Sequence, residues 1–461
     1  MSEASPRRTG RGFPLNKPLW RTYLVFLGPM VLANILQSLS GSINGVYIGQ
    51  MLGTRALAAV AGMFPVIFFF IALLIGIGAG ASVLIGQAWG AREVEKVKAI
   101  AGTALTLGAM IGLLGAVLGS IFTRQALVAL GTPAEVLGEA VAYARVMMIS
   151  LPLLLVFILY TQLLRGVGDT VTPLYALLMS TGIGLLLTPA LIRGWGGLPQ
   201  LGVVSAAVAG LVSFAIALSF LVVYLLRKRH ALAPDAVLLR ALRLDPVLLK
   251  SVLRIGVPTG VQMVTISMAE LAILSLVNRY GADAAAAYGA VNQVVNYVQF
   301  PALSIAITAS ILGAQAIGAG RSELLGKIVQ TGLLLNLLLT GSLVALGYAL
   351  SHWFLGFFLT SPPVLEVATH LLRIMLWGSL VFGMQAVIAG IMRASGTVMI
   401  PVAIAVGCIV GVQLPAANLL SARYGLDGVW MAYPVVFVSM LILQSAFYLL
   451  VWRHKKIERL V

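Results

Sequence analysis

Cysteine is almost absent from this 461-residue chain: Cys408 stands alone, so there is neither a disulfide framework nor a cysteine cluster for a metal. Histidine is nearly as scarce, and its four scattered copies give no reason to expect a metal site. Charge is the third shortage. Charged residues make up 10% of the chain and hydrophobic residues 60%, where soluble domains carry roughly 25% charged residues. Most of such a chain cannot face water, so it is expected in a membrane. Acids are the scarcer sign, 14 against 30 Lys and Arg, for a net charge of +16. A nucleic-acid binder would gather that excess on a water-facing fold; no soluble fold is left here to carry it, and no nucleic-acid partner is expected.

What the chain does have is long apolar runs. A hydrocarbon core of ~30 Å needs about 20 apolar residues per helix, and twelve such runs lie between Gly, Pro or basic residues. The first six fall at about 22–50, 56–89, 97–121, 136–162, 168–192 and 203–226, and the rest at 252–278, 285–316, 325–350, 365–392, 397–420 and 428–452. The second run, at 1.5 Å per residue, is longer than the membrane core, so it should project into water or bend at Pro65. Residues 1–21, with Arg7, Arg8, Arg11, Lys17 and Arg21, read as a polar tail before a retained first helix. Residues 227–251 form a basic linker that is either an amphipathic helix on the membrane surface or a plain tether, and 453–461 a second tail.

The stretch Ala81-Ser82-Val83-Leu84-Ile85-Gly86-Gln87-Ala88-Trp89-Gly90-Ala91 returns as Ala309-Ser310-Ile311-Leu312-Gly313-Ala314-Gln315-Ala316-Ile317-Gly318-Ala319, 228 residues on. The same shift pairs Pro18 with Pro246, Gly28 with Gly256, Arg165 with Arg393, Gly168 with Gly396 and Pro173 with Pro401, so the chain is a duplicated unit. Six spans per copy make both copies enter from one side, giving a parallel repeat (22–226 and 252–452) as in transporters that work between their halves. With the tails and linker inside, only Arg55, Arg124, Arg193, Arg279 and Arg423 fall in outer loops, Arg145 and Arg373 fall within spans, and 23 of the 30 basic residues lie on the cytoplasmic face. That bias sets both termini on the cytoplasmic side.

Gly86-Gln87-Ala88-Trp89-Gly90-Ala91, its copy at the end of the eighth span, and Arg165 to Pro173 with its copy Arg393 to Pro401 are similar to motifs of the multidrug and toxic compound extrusion (MATE) family. The resemblance covers all twelve spans. It implies an all-α polytopic membrane protein: twelve transmembrane helices as two parallel six-helix repeats, forming a V-shaped pair of lobes around a central cavity. It also implies export of small amphiphilic, often cationic, compounds in exchange for H⁺ or Na⁺. No cofactor is expected, the membrane is expected to be a bacterial inner (plasma) membrane, and the chain is expected to function as a monomer. Gln87, Gly90, Gln315, Gly318, Arg165, Asp169 and Arg393 are then motif residues of structural role. Asn44 stands where many members carry a first-helix aspartate, and a seventh-helix acid often lies about one turn before Glu270.

Glu270 is the one carboxylate deep in a span, since Glu139 and Glu366 lie near helix starts and Asp169 in a loop. An intramembrane acid costs ~2.5–3.5 kcal/mol on insertion scales, which makes it a functional candidate, here for the coupling ion together with Asn44; the alternative is an acid satisfied by Ser267 or Thr265. Asn34, Gln37 and Asn44 share a face of the first helix, and Tyr288, Asn292, Asn296 and Gln299 a face of the eighth. Each stripe lines a substrate cavity or makes helix-to-helix hydrogen bonds. Gln262, Met263 and Met268 on the seventh span either line the same cavity or, for the methionines, pack against lipid. Arg165 and Asp169 are expected to pin a turn. A flippase for lipid-linked saccharides would want several cations in its cavity, and only Arg145 and Arg373 are candidates. A membrane-embedded enzyme would need paired acids, histidines or a nucleophile with a base, and the spans hold none.

Overall fold

In the computed structural model, which describes residues 18–61, 63–129 and 131–461, the described residues are almost all helical, apart from short turns, the linker and the final segment. Arg7, Arg8, Arg11 and Lys17 of the expected first tail lie outside the described residues. The twelve spans are α1 (Leu19–Leu52), α2 (Val66–Gly90), α3 (Val94–Ala129), α4 (Ala134–Gly166), α5 (Val171–Arg193), α6 (Gly202–Arg227), α7 (Pro246–Asn278), α8 (Ala282–Gly318), α9 (Ser322–Gly356), α10 (Pro362–Ala394), α11 (Met399–Tyr424) and α12 (Leu426–His454). The expected second span is interrupted: a short helix, Thr54–Ala61, precedes the long helix Phe64–Gly90 that contains α2, and Pro65 lies in the first turn of that long helix. Proline fits there because first-turn N–H groups have no partner inside the helix. Helix α8 is the most enclosed of the twelve.

Within the first copy α2, α3 and α6 pack around α4, with α1 against α5; within the second, α8, α10 and α12 form the centre. The linker behaves as neither a surface helix nor a tether. Leu232, Ala233 and Leu238 are buried, the Tyr160 hydroxyl donates to the Leu232 carbonyl, and Lys98 of α3 pairs with Asp235. Asp235 also caps the short helix Ala236–Arg240 by accepting from the N–H groups of Val237 (3.2 Å) and Leu238 (3.0 Å). A second aspartate, Asp245, caps α7 in the same way, with Pro246 in the first turn. The linker is therefore clamped to the first copy before the second begins.

Candidate functional site

The duplicated motif closes the space between the lobes at the linker end. The Gln87 amide of α2 donates to the Ala394 carbonyl at the end of α10 (2.8 Å), and the Gln315 amide of α8 donates to the Gly166 carbonyl at the end of α4 (3.1 Å). Both donor and acceptor are related by the 228-residue shift, so the two bonds are copies of one another across a pseudo-twofold axis. Gly90 and Gly318 make the approach possible: a Cβ on Gly90 would overlap the Gln315 carbonyl, and one on Gly318 the Gln87 carbonyl. Each glutamine is almost wholly buried, and a buried amide left without its partner would cost about 1–3 kcal/mol. Beside this seal the Tyr23 hydroxyl of α1 donates to the Ile328 carbonyl of α9 (2.9 Å).

Two further crossings join the lobes, and they differ in kind. At α2 and α7, Gly76 and Gly80 face Gly256 and Gly260, and a Cβ on Gly76 or Gly80 would collide with α7 backbone. Backbones that close gain packing contacts that lipid tails cannot supply. At α1 and α8 the meeting is polar: Asn34 donates to Ser304 (3.3 Å), Gln293 to Ser38 (3.1 Å), and Thr308 lies 3.9 Å from the Met30 sulfur. Among the described residues no interlobe hydrogen bond lies farther from the linker end than Ser38 with Gln293. Beyond them Gly41 and Ser42 of α1 and Met268, Glu270 and Leu271 of α7 are exposed. The lobes are thus sealed at one end and splayed at the other, a V.

The sequence-derived stripes divide on this frame. Asn34 reaches the other lobe. Gln37 does not, and Asn44 is half-buried with its side-chain oxygen enclosed and unpartnered. On α8 it is Gln293, one residue off the Tyr288/Asn292/Asn296/Gln299 stripe, that meets α1, also bonding Tyr297 (3.3 Å). Tyr288 turns into its own lobe. Its hydroxyl shares a 3.0 Å hydrogen bond with Tyr433 of α12, its ring lies 5.2 Å from that of Trp430, and Asn292 sits beside it. Asn296 is exposed and Gln262 half-buried.

Glu270 stands within electrostatic reach of the Tyr288 and Tyr433 hydroxyls. The partners considered for it do not hold it: Thr265 donates to the Val261 carbonyl instead (2.9 Å), and no hydrogen bond or ion pair to Glu270 forms among the described residues. Deeper in the same lobe, Asn336 and Thr340 of α9 and Ser379 of α10 are wholly buried, each with a side-chain oxygen that accepts nothing. Residues 336–340 form a π-helical turn, and the Asn336 amide donates to the Leu380 carbonyl (3.0 Å). Such turns widen a helix locally and recur at functional sites. Sequence reasoning missed Tyr433, Gln293, Asn336, Thr340 and Ser379. Polar residues at helical spacing on α9 (Asn336, Thr340) were the available signal.

Of the two residues expected to pin the α4–α5 turn, Asp169 alone does so. It accepts from the N–H groups of Val171 (3.1 Å) and Thr172 (2.9 Å) and lies 3.5 Å from His230 of the linker, whose pKa burial holds below the usual histidine value against the pull of Asp169. Arg165 instead bonds Gln162 (3.3 Å), with its Nε buried and unpartnered, and makes no ion pair with Asp169. Its copy Arg393 is half-buried at the end of α10.

Two six-helix lobes that seal at one end and part at the other, with polar groups between and within them, define a membrane transporter. The chain belongs to the MatE family, whose model matches residues 29–190 and 258–419, one stretch in each copy. It is 43% identical to the probable multidrug resistance protein YoeA of Bacillus subtilis over 97% of each chain, and 24% identical to the multidrug export protein MepA of Staphylococcus aureus over 89% of each. In fold it is similar to a multidrug resistance MATE family transporter of the MOP superfamily solved in an outward-facing conformation (TM-score 0.88, 21% identity, 97% of this chain and 99% of that one). The Vibrio cholerae MATE transporter VcmN matches equally well in shape (TM-score 0.88, 18% identity, 95% and 98%).

Proposed function

We propose that the chain is a secondary antiporter of the bacterial inner membrane that exports small amphiphilic, often cationic, compounds in exchange for H⁺ or Na⁺. It acts as a monomer, by alternating access of its two lobes. The observation that carries this reading is the one-sided seal, in a chain whose carboxylate at Glu270 faces the splayed half beside the Tyr288–Tyr433 pair. The names of the YoeA and MepA relatives support a multidrug substrate range. Glu270 serves as the coupling acid, with Asn44 contributing an amide oxygen, while Asn34, Gln37, Gln262, Asn292 and Asn296 line the substrate path. Exchange is tested in vesicles by imposing a pH gradient or a Na⁺ gradient separately; export under neither would overturn it.

Both tails and the linker lie in the cytoplasm in this reading. In a background lacking Cys408, cysteines at Arg193 and Arg240 are expected to label from outside and from inside respectively, and the reverse pattern would invert the whole assignment. Rocking of the lobes makes a second demand. The sealed state holds Met30 close to Thr308, so cysteines at those two positions should cross-link readily at rest. The yield should fall several-fold when substrate and an opposing ion gradient drive turnover, whereas a constant yield would argue against lobe rocking.

A further inference from the structure

The segment after α12 lies folded against the linker-side face. Leu460 covers Gly396, its N–H donates to the Gln87 side-chain oxygen (2.8 Å), and Arg459 pairs with Glu93 at 2.6 Å. A segment attached to the second lobe thus holds on to the first, at the same glutamine that makes the seal.

Between this segment, the first half of α7 and the loop joining α10 to α11 is a cavity of about 370 Å³. Its walls present Arg254, Lys455, Lys456 and Arg459 against one acid, Glu458. Glu458 is taken up by Lys456 (3.3 Å) and Arg459 by Glu93, while Arg254 and Lys455 meet no carboxylate at ion-pair distance among the described residues. Thr397 and the start of α11 form another wall, and no side chain caps that helix. Its first-turn N–H groups add to the positive potential.

The exposed helix surface next to the cavity is of the opposite character. Met399 and Ile400 are 65% and 45% exposed, and Val257 and Val261 of α7, one and two turns beyond Arg254, are 41% and 52% exposed. A cationic hollow opening onto the apolar flank of a membrane protein matches a molecule with an anionic head and apolar tails. Basic pockets between spans, on the face richer in Lys and Arg, take such headgroups.

We propose that this cavity binds the phosphodiester headgroup of an anionic phospholipid from the adjoining leaflet, with Arg254 and Lys455 as its charge partners. Because residues 455–460 form one wall and also grip Glu93 and Gln87, a bound headgroup braces the segment across the lobe interface and favours the sealed state.

The test uses the full chain purified in detergent and native mass spectrometry with phosphatidylglycerol, phosphatidylcholine or inorganic phosphate added. One phosphatidylglycerol should be retained in preference to phosphatidylcholine. The Arg254→Gln/Lys455→Gln protein, its fold checked by elution profile and melting temperature, should bind it roughly tenfold more weakly or worse. Arg227→Gln/Lys228→Gln, which removes equal charge from the same face outside the cavity, should bind it as the parent does. Equal loss in both pairs, no loss in the first, or competition by inorganic phosphate with no lipid preference would overturn the proposal. As a second measurement, the Met30–Thr308 cysteine pair in a Cys408-free chain, which reports the sealed state, should cross-link more in phosphatidylglycerol vesicles than in phosphatidylcholine; equal yields would overturn the bracing role.

Discussion

Gly318→Ala is expected to leave the protein folded and unable to seal. The added methyl would sit inside the Gln87 carbonyl, a backbone atom of a packed helix that has no side chain to swing aside. Relief comes only by parting α2 from α8, which stretches both symmetry-related glutamine bonds at once and forfeits about 1–3 kcal/mol for each buried amide. A loss of that size moves a two-state equilibrium by one to several powers of ten. Ser82 offers a reporter, since it is buried one turn before Gly86, where α2 meets Ala314 of α8. Ser82→Cys in a Cys408-free chain should resist labelling from the linker side, and adding Gly318→Ala should make it react at least tenfold faster. Gly90→Ala is expected to act the same way, because the two glycines are copies in one pseudo-symmetric arrangement. Unchanged labelling in both would mean that the seal is not the barrier.

Glu270→Gln is expected to keep the protein level and abolish gradient-driven export, by a hundredfold or more. The substitution preserves shape and removes a group that can change charge, whereas an amide does not titrate near neutral pH. Among the described residues the carboxylate has no hydrogen-bonding or ionic partner to lose, so little stability depends on it. Binding of substrate should survive, which separates loss of coupling from loss of the cavity. The measurement is export under an imposed ion gradient in vesicles matched for protein. Full activity would make the acid a bystander and shift attention to Asn336, Thr340 and Ser379.

The twelve spans and the duplication were legible because lipid demands long apolar helices and because a shift of 228 residues realigns Gln87 with Gln315. What those glutamines bond to was not legible: each reaches a carbonyl in the opposite copy, and backbone acceptors leave no trace in sequence. Inward and outward faces were the harder part. Lipid and protein interior are both apolar, so hydrophobicity alone cannot orient a span, and polar residues had to serve instead. On α1 this worked for Asn34. On α8 the stripe beginning at Tyr288 looked like the interlobe face, yet Tyr288 turns to Tyr433 and the neighbouring Gln293 crosses to Ser38. The linker read as a surface helix or a tether and the final segment as a tail, because only a few leucines among basic residues, buried Leu232 and Leu238 and half-buried Leu460, carry their docking.

The glycine crossing of α2 and α7 has a mechanical consequence. Once the seal at Gly90 and Gly318 parts, two bodies joined at one remaining point of backbone contact, and elsewhere by a few hydrogen bonds, behave as a lever about that point. Gly76 lies ten residues from the start of α2, so the arm toward the splayed end is about 15 Å at 1.5 Å per residue. A turn of a few degrees at this fulcrum then displaces the far end by only an ångström or so, and opening a path wide enough for a drug-sized molecule takes tens of degrees or a bend in a helix. Pro29 in α1 and Pro301 in α8 lie on the partner crossing, where the contacts are weaker and a bend costs least.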